Sequence, residues 1–377
     1  MKKLIISTVG TSILTNVIEN NNERAELYNN SNCRSKDECP ESAIKLIDQL
    51  REKALEKLSQ NLDSTSLRRL SAELNGIYGL FNGTKINNQD FHYLITTDTY
   101  QGKICGEILR EFFIKKGINV DIYTPRELTT KTKYNFEQGV KNLLKWCDEN
   151  LTGYKKSGYE IIFNLTGSFK SLQGYMNTIA MFYADKIIYI FESEKAELIE
   201  IPRLPIEIDN KIIEEHKDKI ILMSAGYNYT NKDDIINLPK TIIDEFEGTF
   251  FLSVWGKLLW DKTKGKILVK DLIELPFLEY TDKFRKLFNE ATDTDKVILQ
   301  ETLAKVSKIL MENDFDISKL KQDGGLKYEN YTNKKDENNN SIGHFRISQS
   351  DRISCVAKNR KLYLRKFGRH DFVNDNP

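Results

Sequence analysis

The sequence lacks the paired-cysteine spacing, CxxC, that zinc and redox sites use. Its five cysteines are odd in number and scattered: Cys33, Cys39, Cys105, Cys147 and Cys355. Cys33 and Cys39 resemble half of a metal site, but no second pair and no nearby histidine follow them. We therefore interpret them as loop cysteines, and we expect a reducing compartment and no metal or other cofactor.

Long hydrophobic runs are also absent. No stretch of about 18 consecutive apolar residues occurs, which excludes a transmembrane helix of ordinary length. The apolar run after the N-terminal Met-Lys-Lys is only about five residues long, too short for the core of a signal peptide. The sequence predicts a buried first strand there, and a cytoplasmic protein with no membrane partner.

There is no large excess of charge of either sign, because the sequence contains 56 Lys and Arg residues and 55 Asp and Glu residues. Global charge thus supplies little attraction to nucleic acid, and any such contact depends on local clustering. Basic residues do cluster near the C-terminus, where they outnumber acidic residues. These are Lys327, Lys334, Lys335, Arg346, Arg352, Lys358, Arg360, Lys361, Arg365, Lys366 and Arg369. The cluster predicts a nucleic-acid contact in the last part of the chain.

The length of 377 residues indicates more than one domain. Over residues 1–200, short apolar runs alternate with helical patterns, which predicts an α/β domain with a Rossmann-like parallel sheet. The predicted strands are 4–7, 93–96, 120–123, 160–163 and 186–191, and helices are expected at 42–60 and 63–80 before the second strand.

The remaining chain is divided into two parts. Residues 201–267 read as a connecting region, in which an apolar helix at 251–260 forms core or a dimer seam. The pattern over residues 268–377 predicts a small α+β domain, with a strand at 267–274, helices at 280–290 and 295–313, and short strands to the end.

Three small, hydroxyl-rich loops follow predicted strands of the first domain and lead into helices. They supply ten candidate ligand-binding residues: Gly10, Thr11, Ser12, Thr97, Asp98, Thr99, Thr166, Gly167, Ser168 and Lys170. Ligands of open α/β sheets bind at the carboxyl ends of the strands, and helix N-termini attract phosphate. Lys170 would add a formal charge. Helix capping without a ligand is the alternative, and the absence of GxGxxG and P-loop motifs excludes the usual nicotinamide and nucleoside triphosphate sites.

Three segments of this domain resemble CARF domains, the CRISPR-associated Rossmann folds. They are Thr8–Asn16 (TVGTSILTN), Ser71–Asn75 (SAELN) and Asn164–Lys170 (NLTGSFK). The resemblance covers residues 1–200. It implies a homodimer that binds a cyclic oligoadenylate, often cyclic tetra-adenylate, across its two-fold axis, as an activator. It also implies that Ser12 and Lys170 could cleave that activator.

The C-terminal part, residues 268–377, resembles RelE-like toxins through Phe345–Ile353 (FRISQSDRI) and Lys366–His370 (KFGRH). Such enzymes cut mRNA in the ribosomal A site without a metal, using the 2′-hydroxyl as nucleophile. The resemblance assigns Arg352 and Arg346 to the scissile phosphate and Arg369 or His370 to protonation of the leaving group. Lys334 and Lys335 are further candidates for assisting the nucleophile, and Phe372 stands where some relatives carry a tyrosine.

Together these resemblances predict a ribosome-dependent mRNA endoribonuclease of type III CRISPR defence, activated by cyclic tetra-adenylate. The expected partners are the activator, mRNA, the bacterial ribosome and a second copy of the CARF domain. Two alternatives stay open. One is a ring nuclease that degrades the activator at Ser12 and Lys170, and the other is a CARF-controlled transcription regulator. The second alternative requires a helix-turn-helix after residue 270, where the sequence reads as strands instead.

Overall fold

The computed structural model describes residues 1–82, 86–167, 169–190 and 197–377. The chain divides into two compact units, Met1–Glu207 and Ile208–Pro377. Most of the predicted connecting region, from residue 208 to residue 267, therefore lies in the same unit as the C-terminal residues.

The first unit is built on a six-stranded sheet. Its strands are β1 (Lys2–Thr8), β2 (Phe91–Ile95), β3 (Asn119–Tyr123), β4 (Tyr159–Asn164), β5 (Lys186–Ile190) and β6 (Leu198–Pro202). Their order is β3-β2-β1-β4-β5-β6, and the first five strands run parallel. The predicted α/β sheet is confirmed, with the addition of β6, which pairs antiparallel with β5.

Eight α-helices of the first unit are described: α1 (Ser12–Thr15), α2 (Asn21–Asn29), α3 (Glu41–Ser59), α4 (Ser64–Leu70), α5 (Ala72–Phe81), α6 (Tyr100–Lys115), α7 (Lys133–Lys156) and α8 (Lys170–Tyr183). The predicted helix at 63–80 is in fact two helices. Ser71 separates them because its backbone is extended, and its hydroxyl caps α5 by accepting a hydrogen bond from the N–H of Leu74.

The second unit contains two sheets. The strands are β7 (Ile243–Phe246), β8 (Thr249–Leu252), β9 (Leu278–Tyr280), β10 (Glu329–Lys335), β11 (Ser341–Arg346), β12 (Asp351–Lys358) and β13 (Lys361–Arg369). The larger sheet has the order β10-β11-β12-β13-β9, and only the β13–β9 pair is parallel. Strands β7 and β8 form a separate hairpin.

The helices of the second unit are α9 (Lys211–Glu215), α10 (Lys217–Ser224), α11 (Val254–Ile267), α12 (Asp282–Glu290), α13 (Asp293–Glu312), α14 (Ser318–Gln322) and α15 (His370–Asp375). Trp260 of α11 is 1% exposed and belongs to one hydrophobic core with Phe284, Leu303 and Phe345. The helix that carries Trp260 therefore packs in the hydrophobic core, which is one of the two roles predicted for it, the other being a dimer seam.

The strand predicted at 267–274 is wrong. Helix α11 continues to Ile267, and the next strand is β9, at Leu278–Tyr280. Between them, the buried Gln300 side chain accepts a hydrogen bond from the N–H of Ile273 and donates to the carbonyls of Leu268 and Asp271. A side chain thus satisfies the backbone groups that a neighbouring strand would satisfy in a sheet.

The described residues contain no helix that is both long enough and apolar enough to cross a membrane.

The core of the first unit contains an unusual polar group. His92 is 0% exposed in β2, paired in register with Ile5 of β1 and Val120 of β3. Neither ring nitrogen has a hydrogen-bond partner among the described residues, and burial lowers the pKa of His92 to about 3. Between about pH 3 and pH 6.5 the imidazole is therefore neutral in the folded protein but protonated in the unfolded chain.

We predict that His92→Leu stabilises the protein and reduces its sensitivity to acid. Between pH 6.5 and about 3 the unfolded chain binds a proton at His92 that the folded chain does not, so stability falls as the pH falls. The loss approaches about 1.4 kcal/mol per pH unit. Urea unfolding of the wild type and the variant at pH 7.5 and pH 5 measures the difference. An identical loss of stability in both proteins contradicts the prediction.

Candidate functional site

The strand order of the first unit reverses at β1, which lies between β2 and β4. In open α/β sheets the crevice at such a reversal is the usual place for a ligand. The loops that follow β1 and β4 meet there, and their described residues include Gly10–Ser12, Leu165–Gly167 and Phe169.

Glu73, in the first turn of α5, connects these loops although it is 0% exposed. Its carboxylate accepts hydrogen bonds from the N–H of Gly10 at 2.8 Å and the hydroxyl of Ser12 at 3.0 Å. The same hydroxyl accepts from the N–H of Ala72 at 3.0 Å. Burial raises the pKa of Glu73, and these hydrogen bonds oppose that rise. Ser12 is thereby held in one orientation between a carboxylate and a helix N-terminus.

The loop after β4 is held by Asn164, whose amide donates to the hydroxyl of Ser7 and to the carbonyl of Glu73, both at 3.1 Å. The carbonyl of Gly167 accepts from the hydroxyl of Thr8. A Cβ atom on Gly167 would lie 2.1 Å from Glu73 Oε1, and one on Gly76 would lie 2.1 Å from Asn164 Oδ1. Glycine is required at both positions because of this close approach.

A cavity of about 540 Å³ opens beside this network; we call it the arginine cavity. It is lined by Ser12, Asn16, Thr65, Arg68, Arg69, Ser71, Ala72, Asn75, Thr166, Tyr189 and Ile190. Arg68 is oriented by a 2.8 Å hydrogen bond from its Nε to Asn75 Oδ1. Two guanidinium groups, hydroxyls and a helix N-terminus at one cavity suit a phosphate-bearing ligand. Ser12 and Thr166 were predicted from the sequence, whereas Arg68 and Arg69 were not.

A second cavity, of about 270 Å³, lies on the other side of the β1 loop; we call it the threonine cavity. Its lining includes Gly10, Thr11, Thr97 and Thr99. The hydroxyls of Thr97 and Thr99 are 2.8 Å apart, and Thr99 caps α6 by accepting from the N–H of Gly102. Six of the ten predicted ligand residues thus line one of the two cavities, Ser12 and Thr166 the arginine cavity and the other four the threonine cavity.

Four of the ten predicted ligand residues are not among the lining residues of either cavity: Asp98, Gly167 and Lys170, together with Ser168, which lies outside the described residues. Asp98 forms ion pairs with Arg34 and Lys103 and accepts from the N–H of Glu127. Burial acts to raise the pKa of Asp98, but Lys103, Glu127 N–H and Arg34 together lower it. Lys170 is exposed at the first position of α8.

The second unit gathers basic and aromatic side chains around the ends of β10–β13 and α15. We call this group the basic cluster: Tyr331, Lys334, His344, Arg346, Arg352, Lys366, Arg369, His370 and Asn374. Arg346 and Arg352 are register partners on β11 and β12. Arg352 is 7% exposed, and its Nη1 donates to the carbonyls of Ser348, Gln349 and Asp351. Arg352 therefore also stabilises the turn between β11 and β12.

Tyr331 and His344, which were not predicted from the sequence, also belong to the cluster. Their ring centroids are 4.3 Å apart. The hydroxyl of Tyr331 donates to Asn374 Oδ1, and the amide nitrogen of Asn374 is 2.8 Å from Nε2 of His370. The two histidines are thus connected through Tyr331 and Asn374.

The other predicted catalytic residues differ in their surroundings. Lys334 donates to the carbonyl of Asn374 and lies 5.3 Å from the Tyr331 ring centroid. Lys335 is exposed, with Ser341 as its register partner. Arg369 is exposed and is the register partner of Asp351. Lys366, by contrast, is buried and donates to the carbonyls of Phe372 and Asn376.

Metal-binding groups are not evident in the part of the chain that the structure describes, where no three His, Cys, Asp or Glu side chains are arranged to hold an ion. Cys33 and Cys39 interact with each other, and burial together with Cys33 raises the pKa of Cys39 to about 12.

The first unit is therefore a Rossmann-like sheet with a polar, arginine-bearing cavity at its point of reversal. Residues 68–204 match the model of a family described as CRISPR-associated protein (Cas_APE2256). The matched stretch is a little over a third of the chain, and it includes Arg68, Arg69, Glu73 and the loop after β4. Over this stretch the chain is similar to a CRISPR-associated family, which supports an association with CRISPR systems.

We predict that Gly167→Ala destabilises the first unit and weakens ligand binding at the arginine cavity. The added methyl group collides with the Glu73 carboxylate, and overpacking of this kind costs about 1–3 kcal/mol. Gly174→Ala is the matched control, since a Cβ there meets nothing within 4 Å. Urea unfolding of both variants measures the effect. Equal stability of the two variants contradicts the close approach at Gly167.

Proposed function

We propose that this protein is a ribosome-dependent mRNA endoribonuclease of type III CRISPR defence, activated by a cyclic oligoadenylate such as cyclic tetra-adenylate. The observation that carries the proposal is the presence of two separate sites suited to phosphate, one in each unit. The arginine cavity suits a regulatory ligand, and the basic cluster suits the scissile phosphate of an RNA.

The arginine cavity supports the sensor assignment. Arg68 and Arg69 supply planar donors that match phosphate oxygens, and the hydroxyls of Ser12 and Thr166 add neutral hydrogen-bonding groups. A cyclic tetra-adenylate has two-fold symmetry. Two copies of one cavity in a symmetric dimer would present the same groups to both halves of the ring. In this proposal each protomer binds half of the activator.

The second unit supports the nuclease assignment. Strand β9 is followed by helices α12 and α13, and the chain then returns through antiparallel strands until β13 pairs parallel with β9. This order agrees with the strand, helical hairpin and strand pattern expected of a RelE-like domain. Arg346 and Arg352 place two positive charges on adjacent strands, where negative charge develops on a phosphorus undergoing substitution.

Activation in this proposal is a shift of population between an inactive and an active state. The ligand must bind the active state more tightly, and a difference of about 1–3 kcal/mol would change activity by roughly 5- to 150-fold.

One observation favours a second candidate function, cleavage of the activator itself. The Ser12 hydroxyl lines the arginine cavity and is hydrogen-bonded to the Glu73 carboxylate. A fixed hydroxyl beside a phosphate ligand is suited to orient the 2′-hydroxyl of that ligand. In this second candidate, loss of the activator is the main reaction and mRNA stays intact.

We predict that cyclic tetra-adenylate switches on mRNA cleavage in a cell-free translation system, with cuts in the ribosomal A site. Arg346→Ala should lower cleavage by about 10²–10³-fold, because it removes a charge that stabilises the transition state. Arg360→Ala is the matched control, since Arg360 is exposed and paired with Asp314 outside the cluster. Intact mRNA accompanied by steady loss of the activator would favour the second candidate over the first.

We also predict that Arg69→Ala weakens binding of cyclic tetra-adenylate by about 10- to 100-fold, the usual effect of losing a charged hydrogen bond. Arg110→Ala, an exposed arginine on α6, serves as control. Isothermal titration calorimetry measures both. Equal affinity of the two variants for cyclic tetra-adenylate would show that the arginine cavity is not its binding site.

A further inference from the structure

His344 is the side chain of the basic cluster whose surroundings best suit transfer of a proton. It is half-buried on β11, and its ring packs on Tyr331. Its Nδ1 is buried and has no hydrogen-bond partner among the described residues. A buried ring nitrogen without a partner is costly in a fold, and a catalytic role is one reason to retain it.

Charged and titratable groups face His344 from each neighbouring element. Glu329 and Tyr331 lie on β10, Arg352 on β12 and His370 on α15. Burial, Arg352 and His370 favour the neutral imidazole, and Glu329 favours the protonated one. The balance lowers the pKa of His344, so the ring is neutral and able to accept a proton at pH 7.

The other side chains of the cluster are poorly suited to that task. Arginine stays protonated, Lys334 donates to the carbonyl of Asn374, and Lys366 donates to the carbonyls of Phe372 and Asn376. Burial raises the pKa of Tyr331 to about 12, so the phenol does not ionise near neutral pH. Among these side chains, His344 is therefore the one best suited to accept a proton.

We propose that His344 is the general base of the RNA cleavage reaction, acting with His370, which the resemblance to RelE-like toxins already offers as the general acid. This inference rests on the proposed nuclease function and names a residue for a step that it leaves unassigned. His344 accepts the proton of the 2′-hydroxyl as the bond from the 2′-oxygen to phosphorus forms. The bond from phosphorus to the 5′-oxygen breaks, and His370 donates a proton to that oxygen. The products are a 2′,3′-cyclic phosphate and a 5′-hydroxyl, and no other reactant is consumed.

Tyr331 and Asn374 are positioning residues in this scheme. The Tyr331 ring fixes the plane of His344, and its hydroxyl orients Asn374, which in turn contacts His370. Arg346 and Arg352 are register partners on β11 and β12, and the charge of Arg352 acts on His344.

The test compares two RNA substrates bound to programmed ribosomes, with the full chain and cyclic tetra-adenylate present. One substrate has the natural 5′-oxygen at the cleavage position, and the other has a bridging 5′-sulfur, which leaves without a proton. The variants are His344→Gln, His370→Gln and the control His216→Gln, a histidine at the start of α10. Ribosome binding and thermal unfolding are measured for each, so that a misfolded variant is recognised.

We expect His344→Gln to cleave both substrates about 10²–10⁴-fold more slowly, since loss of a general base is not repaired by a better leaving group. His370→Gln should fail on the natural substrate and recover on the sulfur substrate. Wild type should show a bell-shaped pH dependence whose acidic limb disappears in His344→Gln. His344→Ala, with its smaller side chain, should regain activity when imidazole is added.

Two results would overturn the assignment. Recovery of His344→Gln on the sulfur substrate would make His344 the acid instead of the base. An unchanged rate or an unchanged acidic limb in His344→Gln would reduce it to a structural residue. If the wild type itself cleaves neither substrate, the nuclease function fails and this assignment fails with it. Cleavage by the wild type and by His344→Gln alike rejects the base assignment alone.

Discussion

The first unit depends on one buried carboxylate. Glu73 is separated from water, yet it receives the N–H of Gly10 and the hydroxyl of Ser12, and its backbone carbonyl receives the amide of Asn164. Burying a carboxylate without such hydrogen bonds would destabilise the folded protein by several kcal/mol. The loops after β1 and β4 are therefore held in the one arrangement that provides these hydrogen bonds. The position of the cavity lining follows from this requirement, because Ser12 and Thr166 belong to those loops.

The regular elements of the first unit could be predicted because strands alternate with helices at distinct hydrophobic periods. The break between helices at Ser71 could not be predicted, because a single serine within a helical pattern is compatible with either a helix cap or a continuous helix. It is the extended backbone of Ser71 that divides α4 from α5 and directs the N-terminus of α5 to Ser12. In the second unit, the apolar run at 267–274 has the composition of a strand. Its hydrogen bonds come from Gln300, which is distant in sequence and carries no local signal.

The same distinction applies to the candidate sites. Ser12 and Thr166 were accessible to sequence reasoning because they follow strands of a parallel sheet. Arg68 was not, because it lies on an inserted helix, and only the folded chain brings that helix to the crevice. In the basic cluster, a count of charges identified the arginines and lysines but passed over His344. An available signal was strand alternation, since His344 and Arg346 are two residues apart on β11 and hence share a face.

Gly76 and Gly167 restrict how the sequence of this site can vary. Both are surrounded so closely that even a methyl group collides with Asn164 or Glu73. The arginines and hydroxyls of the cavity can be exchanged one at a time, with graded effects on a ligand. The two glycines permit no such gradual change, because any side chain there displaces the loop that carries the cavity lining. Among natural homologues we therefore expect residues of the arginine cavity to vary with the ligand, while glycine is kept at these two positions. The two glycines would then identify homologues that share this loop arrangement, whichever ligand each of them binds.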